Sequence, residues 1–490
     1  MTESATADVA RGTTPPRAAV LIGVLVASAF VMILNETILS VALRDLTVDL
    51  QVSTTTVQWL TSGFLLTMAV VIPTTGFLLE RFTPRQIFLT AQSLFSAGTL
   101  ISALAPGFEV LLAGRVVQAC GTAVMVPLLM TSVMRLVPAD KRGATMGTIT
   151  IVIAVAPAIG PTIGGAVLNQ LSWRWMFWIV LPLALIALAI GAAWMRLDSE
   201  TRAVPLDLIS VVLSALGFGG LLYGLSLVGE SGGQQQLPPW IPVSIGAVAL
   251  ATFAARQIRL QRQDRALLDL RPLTNRSFGI ALLLSALLFM CLLGAGAILL
   301  PLYLQTVLHE STFASGLAVL PGGLVMGLLG RPVGRLFDRV GARPLVIPGA
   351  LAMAVSLCLF ATLGPNSPLA AVIAIHVVLM AGLGLMMTPL MTSSLSALPD
   401  HLYSHGSAIM ATLQQVAGAF GTAVFVTVSA VASSAPSGIP DAGGLRTAFV
   451  VAAGIGVLAF ITSLFIRTPP AAKQSEGTAE EPGREPQTAH

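Results

Sequence analysis

The stretch GRLFDRVGAR at residues 334–343 has a counterpart in GFLLERFTPR at residues 76–85. Each copy carries a glycine, an acid four positions later and an arginine directly after the acid, at an offset of 258 residues (334 − 76). A second pair, RVVQACGTAVMVPLLMTSVMRLVP at 115–138 and HVVLMAGLGLMMTPLMTSSLSALP at 376–399, matches at an offset of 261 residues (376 − 115). Two independent matches at nearly one offset argue against a chance pairing of apolar segments, and they indicate two related halves.

The composition places both halves in a membrane. Of 490 residues, 55% are hydrophobic and 10% are charged, whereas soluble domains average about 25% charged residues. Apolar runs of about 20 residues or more, long enough to cross about 30 Å of hydrocarbon as helices, recur along the chain. We predict fourteen transmembrane helices, at residues 18–43, 54–80, 85–105, 108–136, 142–169, 174–195, 206–229, 239–257, 277–304, 312–337, 343–363, 367–398, 406–434 and 444–466.

The repeat offset corresponds to eight spans, so six helices in each half leave two between the halves. The predicted fold class is an all-α polytopic membrane protein with two six-helix bundles and two linking helices. Parallel repeats of this kind are a transporter architecture, with the substrate site between the halves near the bilayer midplane. The expected divisions are a cytoplasmic tail at 1–17, a bundle at 18–200, linking helices with a basic loop at 201–276, a bundle at 277–467 and a disordered tail at 468–490.

The basic residues predict the orientation. All 26 of them except Arg44, Arg115, Arg174 and Arg446 fall in the tails, in alternate loops or in the span ends next to those loops, on one side, and an excess of this kind marks the cytoplasmic side. Both termini are therefore expected in the cytoplasm. Only two of the 26 are lysines, which hints at a GC-rich bacterium and favours its cell membrane as the location, with the lipid bilayer as a partner.

Several other classes of protein are disfavoured. The net charge of +4 carries no signal of nucleic-acid binding, and the three cysteines lie in different spans without metal-ligand spacing. Neither lysine ends a Gly-x-x-x-x-Gly-Lys loop, so an ATP-driven pump is not expected. The spans carry no convergent catalytic set, and we predict neither an enzyme nor a bound cofactor or metal.

The two loop motifs resemble the signature Gly-x-x-x-Asp-Arg-x-Gly-Arg of the major facilitator superfamily, and the chain is similar to its 14-helix drug:proton antiporter branch. The second copy keeps this signature well, while the first has Glu, Thr and Pro where the family has Asp, Gly and a basic residue. The resemblance implies a major facilitator fold in which these loops close the cytoplasmic face. The expected gate residues are Gly76, Glu80, Arg81, Arg85, Gly334, Asp338, Arg339, Gly341 and Arg343.

A further signature lies in the predicted fifth helix, where APAIGPTIGG at 156–165 resembles the antiporter motif Gly-Pro-x-x-Gly-Gly. Small residues permit close helix contact, and a proline removes a backbone donor and bends the helix. Ordinary small-residue packing would explain the same residues, but the equivalent stretch AGAFGTAV at 417–424 lacks the pattern. WRWMF at 173–177 is similar to another fingerprint of the 14-helix branch. The motif residues are Gly160, Pro161, Gly164 and Gly165.

Charged residues inside the spans form the sharpest candidate site. Glu36 is the only acid placed deep in a span and Arg115 the only deep arginine, each about seven residues from the outer end of its predicted helix. LNETILSVAL resembles a first-helix motif of the branch, with Asn35 at the usual Asp position, and RVVQACG resembles its Arg-x-x-Gln-Gly motif. A buried pair can be a permanent salt bridge. An acid kept in lipid is a functional candidate by default, and we predict that Glu36 and Arg115 couple transport to protons.

The predicted substrate cavity is lined by polar and aromatic residues on several helices. Trp59 would equally suit the interfacial aromatic belt. His376 occupies the repeat position of Arg115, although a lone histidine in a helix is usually a packed, hydrogen-bonded residue. The cavity residues are Asn35, Glu36, Trp59, Phe64, Gln118 and His376.

These features predict a proton-coupled exporter of hydrophobic, cationic drugs or toxic compounds that works by alternating access. Its expected partners are a small-molecule substrate and protons, and it is expected to function as a monomer. Export of one physiological molecule, such as a lipid, a peptide or a secondary metabolite, is the alternative within transport. A membrane sensor that transports nothing is a third reading.

Overall fold

The computed structural model describes residues 16–39, 42–195, 205–229, 238–433 and 440–466. Within these ranges the chain is helical and has no strand. The long helices are α1 (Pro16–Ile38), α2 (Thr54–Val71, continued through the 3₁₀ turn Ile72–Thr74 into Thr75–Arg81), α3 (Pro84–Ala103), α4 (Phe108–Leu136), α5 (Arg142–Leu168), α6 (Arg174–Trp194), α7 (Leu208–Gly229), α8 (Trp240–Leu260), α9 (Arg276–Phe289, the π-helix Met290–Leu299 and Leu300–Thr306), α10 (Thr312–Val340), α11 (Arg343–Phe360), α12 (Leu369–Ser396), α13 (Tyr403–Val431) and α14 (Ala442–Ser463).

Thirteen helices in the described ranges are long and apolar enough to cross a membrane. The helix outside this set is α3, whose composition includes Arg85, Gln86, Gln92 and several hydroxyl side chains. Gln92 is fully buried, and its amide nitrogen donates to the Ala184 carbonyl of α6 at 2.9 Å, so this donor is paired inside the bundle. The chain is therefore an all-helical, multi-pass membrane protein, and the number of fourteen spans stays a prediction.

The first helix ends earlier than its apolar run predicts. The sequence predicts a span to residue 43, but α1 ends at Ile38 and a separate short helix, Leu43–Asp49, follows. Asp45 and Asp49 of the short helix are exposed. Carboxylates are costly in hydrocarbon, which explains why the chain leaves the span before it reaches them.

The short helix is fastened to the start of α6. The Trp173 indole donates to the Asp49 carboxylate at 2.8 Å, and Arg174 donates to it at 3.1 Å. These hydrogen bonds, the one from Trp173 first, lower the pKa of Asp49 against a smaller effect of burial. Arg174 also donates to the Ala105 carbonyl at 3.0 Å. The WRWMF stretch thus ties three segments together at the end of the bundle opposite the start of α1.

Packing inside the two halves follows one pattern. In the first half, α3 packs on α4 and α6, and α1 packs on α4 and α5; in the second, α11 packs on α12 and α14, and α9 packs on α12 and α13. Each contact in the second half is the counterpart of one in the first, eight helices later. The two six-helix bundles expected from the sequence repeat are therefore present.

The halves meet through two equivalent helix pairs. α5 packs along α10, and α2 packs against α13, which is the same pairing with the halves exchanged. A Cβ atom on Gly147 would overlap the backbone of Gly330, and one on Gly334 would overlap the backbone of Gly143. Such close approach at small residues is typical of membrane helices, because lipid removes the hydrophobic drive for their association.

The two linking helices, α7 and α8, pack on each other as a hairpin. α7 contacts both α2 and α13, so the hairpin lies beside one of the two pairs that join the halves. Arg256 of α8 donates twice to the carboxylate of Asp207, directly before α7, at 2.7 and 3.0 Å. This hydrogen-bonded ion pair lowers the pKa of Asp207 to about 2.

Candidate functional site

Arg115 on α4 is the centre of a polar cluster inside the first half. Its side chain is fully buried; Nε donates to the Leu60 carbonyl at 3.4 Å and Nη1 donates to Gln118 Oε1 at 3.1 Å. Gln118 in turn donates to Thr99 at 2.8 Å. The guanidinium lies over the Phe64 ring, 4.1 Å from its centroid, a favourable cation–π geometry. Residues of α2, α3 and α4 therefore hold this positive charge in one place.

The Glu36 carboxyl group lies near this cluster without being bonded to it. Its charge interacts with that of Arg115, yet among the described residues no hydrogen bond or ion pair within 4.0 Å reaches it. The side chain is enclosed by protein but retains partial exposure. Because α1 ends at Ile38, Glu36 is two residues from the helix end rather than the predicted seven, and it lies nearer to that end of the bundle than the sequence indicates.

Two further cavity candidates are buried polar groups with unpaired atoms. Asn35 is fully buried, and neither atom of its amide group has a hydrogen-bond partner among the described residues. His376 on α12 is equally buried; neither ring nitrogen makes a hydrogen bond of standard geometry, although the ring lies close to the Val319 backbone. A Cβ on Gly322 of α10 would overlap this ring. An unpaired buried polar group costs about 1–3 kcal/mol, so both side chains are suited to meet a polar ligand or water.

The two aromatic candidates separate in the structure. Phe64 is fully buried against Arg115. Trp59 is 38% exposed and packs on Tyr223 of α7, with ring centroids 5.6 Å apart. No described contact joins Trp59 to the Arg115 cluster. Its observed partner is the linking hairpin.

The glycine motif of α5 lies against the part of α1 that carries the acid. A Cβ on Gly160 would overlap the hydroxyl group of Thr37, whereas one on Gly165 would meet open space. Gly164 is buried, and the side chain of Pro161 lies outside the described part of the structure. Gly160 therefore permits the observed approach of α5 to α1, since a larger residue there would push the two helices apart.

Several gate candidates lie at the N-terminal face, the end of the bundle at which α1 begins. Asp338 of α10 accepts hydrogen bonds from the N–H groups of Gly143 and Ala144, at the start of α5, at 2.7 and 2.8 Å. It satisfies two of the unpaired donors of that helix terminus and complements its dipole. Gly334 lets the α5 backbone approach, and Gly341, at φ 79° and ψ −171°, ends α10 in a positive-φ conformation that residues with a side chain rarely adopt.

The repeat counterpart of this contact uses a histidine that the sequence reasoning missed. Nε2 of His405, on α13, lies 3.0 Å from the Glu80 carboxylate, and a Cβ on Gly76 would overlap the His405 ring. Nδ1 accepts the Asp269 N–H at 3.2 Å, so the imidazole joins both halves to the loop after the linking helices. The repeat could have identified this residue, because Glu80 aligns with Asp338 and the start of α13 aligns with the start of α5.

The remaining gate candidates have separate positions. Arg85 donates to the Ala192 carbonyl at 2.9 Å, within the first half, and Arg81 lies 5.9 Å from the ring centroid of Phe77. Arg343 is exposed at the start of α11. Arg339 lines a cleft between the halves.

Hydroxyl pairs that no sequence pattern marks also join the halves. Thr150 of α5 lies 2.7 Å from Thr388 of α12, and Thr131 of α4 lies 2.9 Å from Ser407 of α13, oxygen to oxygen. With the Asp338 and His405 contacts, they make an interface concentrated on the N-terminal side of the bundle. The structure is thus closed at that face.

Two repeated bundles, an inter-bundle interface and a buried charge cluster define a class of membrane transporter. Residues 25–422 match the family model described as Major Facilitator Superfamily. The chain belongs to this superfamily, and the resemblance inferred from its motifs is confirmed.

Curated relatives indicate the drug-efflux branch. The lincomycin resistance protein LmrB of Listeria monocytogenes is 40% identical over 90% of this chain and 95% of its own. The MFS-type transporter YcnB of Bacillus subtilis is 40% identical over 93% of this chain and 96% of its own. A multidrug resistance protein B homolog of Mycobacterium tuberculosis is 30% identical over 82% and 74%, respectively. These bacterial relatives support a multi-pass protein of the bacterial cell membrane.

Solved structures share the fold. The proton:xylose symporter XylE aligns with a TM-score of 0.67 at 16% identity, over 93% of this chain and 97% of its own. The human organic anion transporter MFSD10 aligns with a TM-score of 0.65 at 16% identity, over 92% and 100%. At this identity the likeness concerns the fold alone.

Proposed function

We propose that this protein exports hydrophobic, cationic compounds in exchange for protons, by alternating access between its two bundles. The observation that carries the proposal is the Glu36 carboxyl group, which has no described bonding partner but interacts with the fixed charge of Arg115. Relatives named for lincomycin and multidrug resistance support the substrate class. Both termini are assigned to the cytoplasm, the working unit is a monomer, and the coupling ion is a proton with no bound cofactor.

The chemistry follows from burial and charge. An ionised carboxylate in a poorly hydrated site is stabilised by a nearby cation and destabilised when that cation leaves. Arg115 is held in place by its bonds to Leu60 and Gln118, and its Nη2 atom has no hydrogen-bond partner in the part of the chain that the structure describes. A cationic substrate near Glu36 therefore favours the ionised form, and proton uptake by Glu36 favours substrate release. One site can in this way hold either ligand but not both.

The available energy suffices for such exchange. One charge crossing 100 mV releases about 2.3 kcal/mol, and one pH unit adds about 1.4 kcal/mol. Their sum corresponds to a several-hundred-fold substrate gradient per proton. The closed N-terminal face is one of the two states that alternating access requires.

Transport by everted membrane vesicles tests the proposal. With an acidic lumen, uptake of lincomycin and of ethidium, a permanent lipophilic cation, is expected to depend on the pH gradient. Glu36→Gln is expected to abolish this uptake while membrane expression is kept. The matched control is Glu109→Gln, an exposed glutamate at the start of α4, which is expected to transport normally. Gradient-driven uptake that survives in Glu36→Gln would remove this residue from coupling, and uptake that ignores the gradient would reject antiport.

A further inference from the structure

A cleft of about 910 Å³ lies at the N-terminal face, along the contact between α5 and α10 that closes this face. Its walls come from α1 and α5 of the first half and from α10 of the second. The lining contains four basic side chains, of Lys141, Arg331, Arg335 and Arg339, and two acidic ones, of Asp140 and Asp338. Both carboxylate oxygens of Asp338 are already bonded to the start of α5. The cleft is therefore positively charged.

Three of the cations lie on one stripe of α10. Arg331, Arg335 and Arg339 are spaced four residues apart, so their side chains follow one another along the helix at intervals of about 6 Å. All three are exposed. In the part of the chain that the structure describes, none of the three guanidinium groups takes part in a hydrogen bond or ion pair. Phosphate oxygens suit guanidinium groups because they accept paired hydrogen bonds.

The opposite wall of the cleft is apolar. Ala19, Ile22 and Val26 present one face of α1 to it, and Gly23 leaves open space there, with no atom within 4 Å of an added Cβ. A soluble phosphate would gain nothing from this wall. A ligand with a charged head beside an alkyl chain would contact both walls at once.

We propose that this cleft binds the headgroup of an anionic phospholipid, with its phosphate on the α10 arginines and its first acyl carbons along α1. Bound there, the lipid contacts both halves and stabilises the state in which the N-terminal face is closed. The inference goes beyond the proposed function, since it depends on neither the exported compound nor the coupling ion.

Titration of the purified protein with phosphatidylglycerol, followed by native mass spectrometry, measures the site directly. The triple variant Arg331→Gln, Arg335→Gln, Arg339→Gln is expected to bind about a hundredfold more weakly, or about fivefold per charge, as about 1 kcal/mol per basic residue near an anionic surface implies. The matched control, Arg259→Gln, Arg262→Gln, Arg265→Gln, removes equal charge outside the cleft and is expected to change binding less than about threefold.

A second pair of variants tests the site without changing the arginines, so that the result does not depend on how α10 tolerates their replacement. Gly23→Phe fills open space inside the cleft and is expected to weaken binding at least about tenfold. Gly454→Phe, also built into open space but on α14, is expected to leave it unchanged. Equal losses in both arginine triples, equal affinity for phosphatidylcholine, or full binding by Gly23→Phe would overturn the proposal. Displacement of the lipid by inorganic phosphate or glycerol 3-phosphate at equal concentration would assign the site to a soluble anion instead.

Discussion

Asparagine at position 338 is expected to open the N-terminal face. The Asp338 carboxylate accepts the N–H groups of Gly143 and Ala144 at 2.7 and 2.8 Å and so clasps α10 to α5. Asparagine keeps one acceptor oxygen, presents an NH₂ group to the other donor and removes the charge. A hydrogen bond to a charged group contributes about 1.5–3 kcal/mol, and the charge at a helix N-terminus about 0.3–1 kcal/mol more. The combined loss of about 2–4 kcal/mol shifts the ratio of closed to open molecules by about 30- to 900-fold.

Pulsed electron paramagnetic resonance distances between spin labels at Thr90 and His401 report on this change. Both positions are exposed and lie near the N-terminal face on different halves; the native cysteines Cys120, Cys291 and Cys358 are replaced beforehand. The Asp338→Asn distribution should move to longer distances. Asp140→Asn, which removes a charge from the same cleft but neither hydrogen bond, should not. Unchanged distances in Asp338→Asn, or an equal shift in Asp140→Asn, would refute the assigned role of these two hydrogen bonds.

Three further outcomes are expected. Gly160→Ala should lower the melting temperature and reduce drug efflux, because overpacking against α1 costs about 1–3 kcal/mol. Gly165→Ala adds a methyl group in open space and should change neither. Equal effects of the two substitutions would reject the packing role of Gly160. The contacts of Asp49 lower its pKa below the ordinary value of 3.8 in the folded state. The ionised carboxylate therefore stabilises the fold above pH 3.8, by less than about 1 kcal/mol because the group is exposed. This stabilisation is lost as the pH falls through the folded-state pKa. Melting curves of Asp49→Asn should therefore converge with those of the wild type at low pH, and a constant difference between them would argue against the ionised contact. His405→Phe keeps a ring but leaves two polar partners unpaired, so it should destabilise the closed state by about 1–3 kcal/mol. In the same spin-label experiment the distances should lengthen, and Glu80→Gln should lengthen them less. Unchanged distances in His405→Phe would contradict the assigned role of this contact.

The sequence predicted the fold well because the fold depends on two patterns that can be read directly from the order of residues, the apolar runs and the internal repeat. Long apolar runs need only length and composition to be seen, and the repeat at residues 76–85 and 334–343 relates helices that are eight positions apart. The end of α1 was the main error in the spans. Hydrophobicity continues past Ile38, and the charges that make the chain leave the span follow only later.

The site was only partly predictable, because partners across the interface are not adjacent in sequence. An acid and an arginine inside apolar spans are rare enough to notice, so the sequence alone can propose Glu36 and Arg115 as a pair. Whether a direct bond joins them depends on side-chain positions, which the sequence does not give. His405 has no motif of its own and acquires its contacts from α2 and from the linker loop.

The π-helix at Met290–Leu299 shows the same limit for the backbone. The repeat aligns this segment with the part of α1 around Asn35 and Glu36, yet its sequence, MCLLGAGAIL, is that of an ordinary apolar helix. Gly294 packs directly on Phe425 of α13, and this close approach is a tertiary constraint. π-helical turns are frequent at functional sites, but the local sequence does not predict the change from α-helical to π-helical hydrogen bonding.

The glycine contacts between α5 and α10 have a mechanical consequence. At Gly147 and Gly330 the two backbones are in direct contact, so no large side chain packs between the helices there. Separation of the bundles at this point therefore does not require large side chains to leave a packed site. The resistance to opening then comes mainly from a small number of polar bonds, each of about 1–3 kcal/mol. That is the same scale as the work done by one elementary charge in a field of 100 mV, about 2.3 kcal/mol. The interface between α5 and α10 is therefore weak enough for the movement of one ion to separate the bundles. It is still strong enough to keep the N-terminal face closed between such movements.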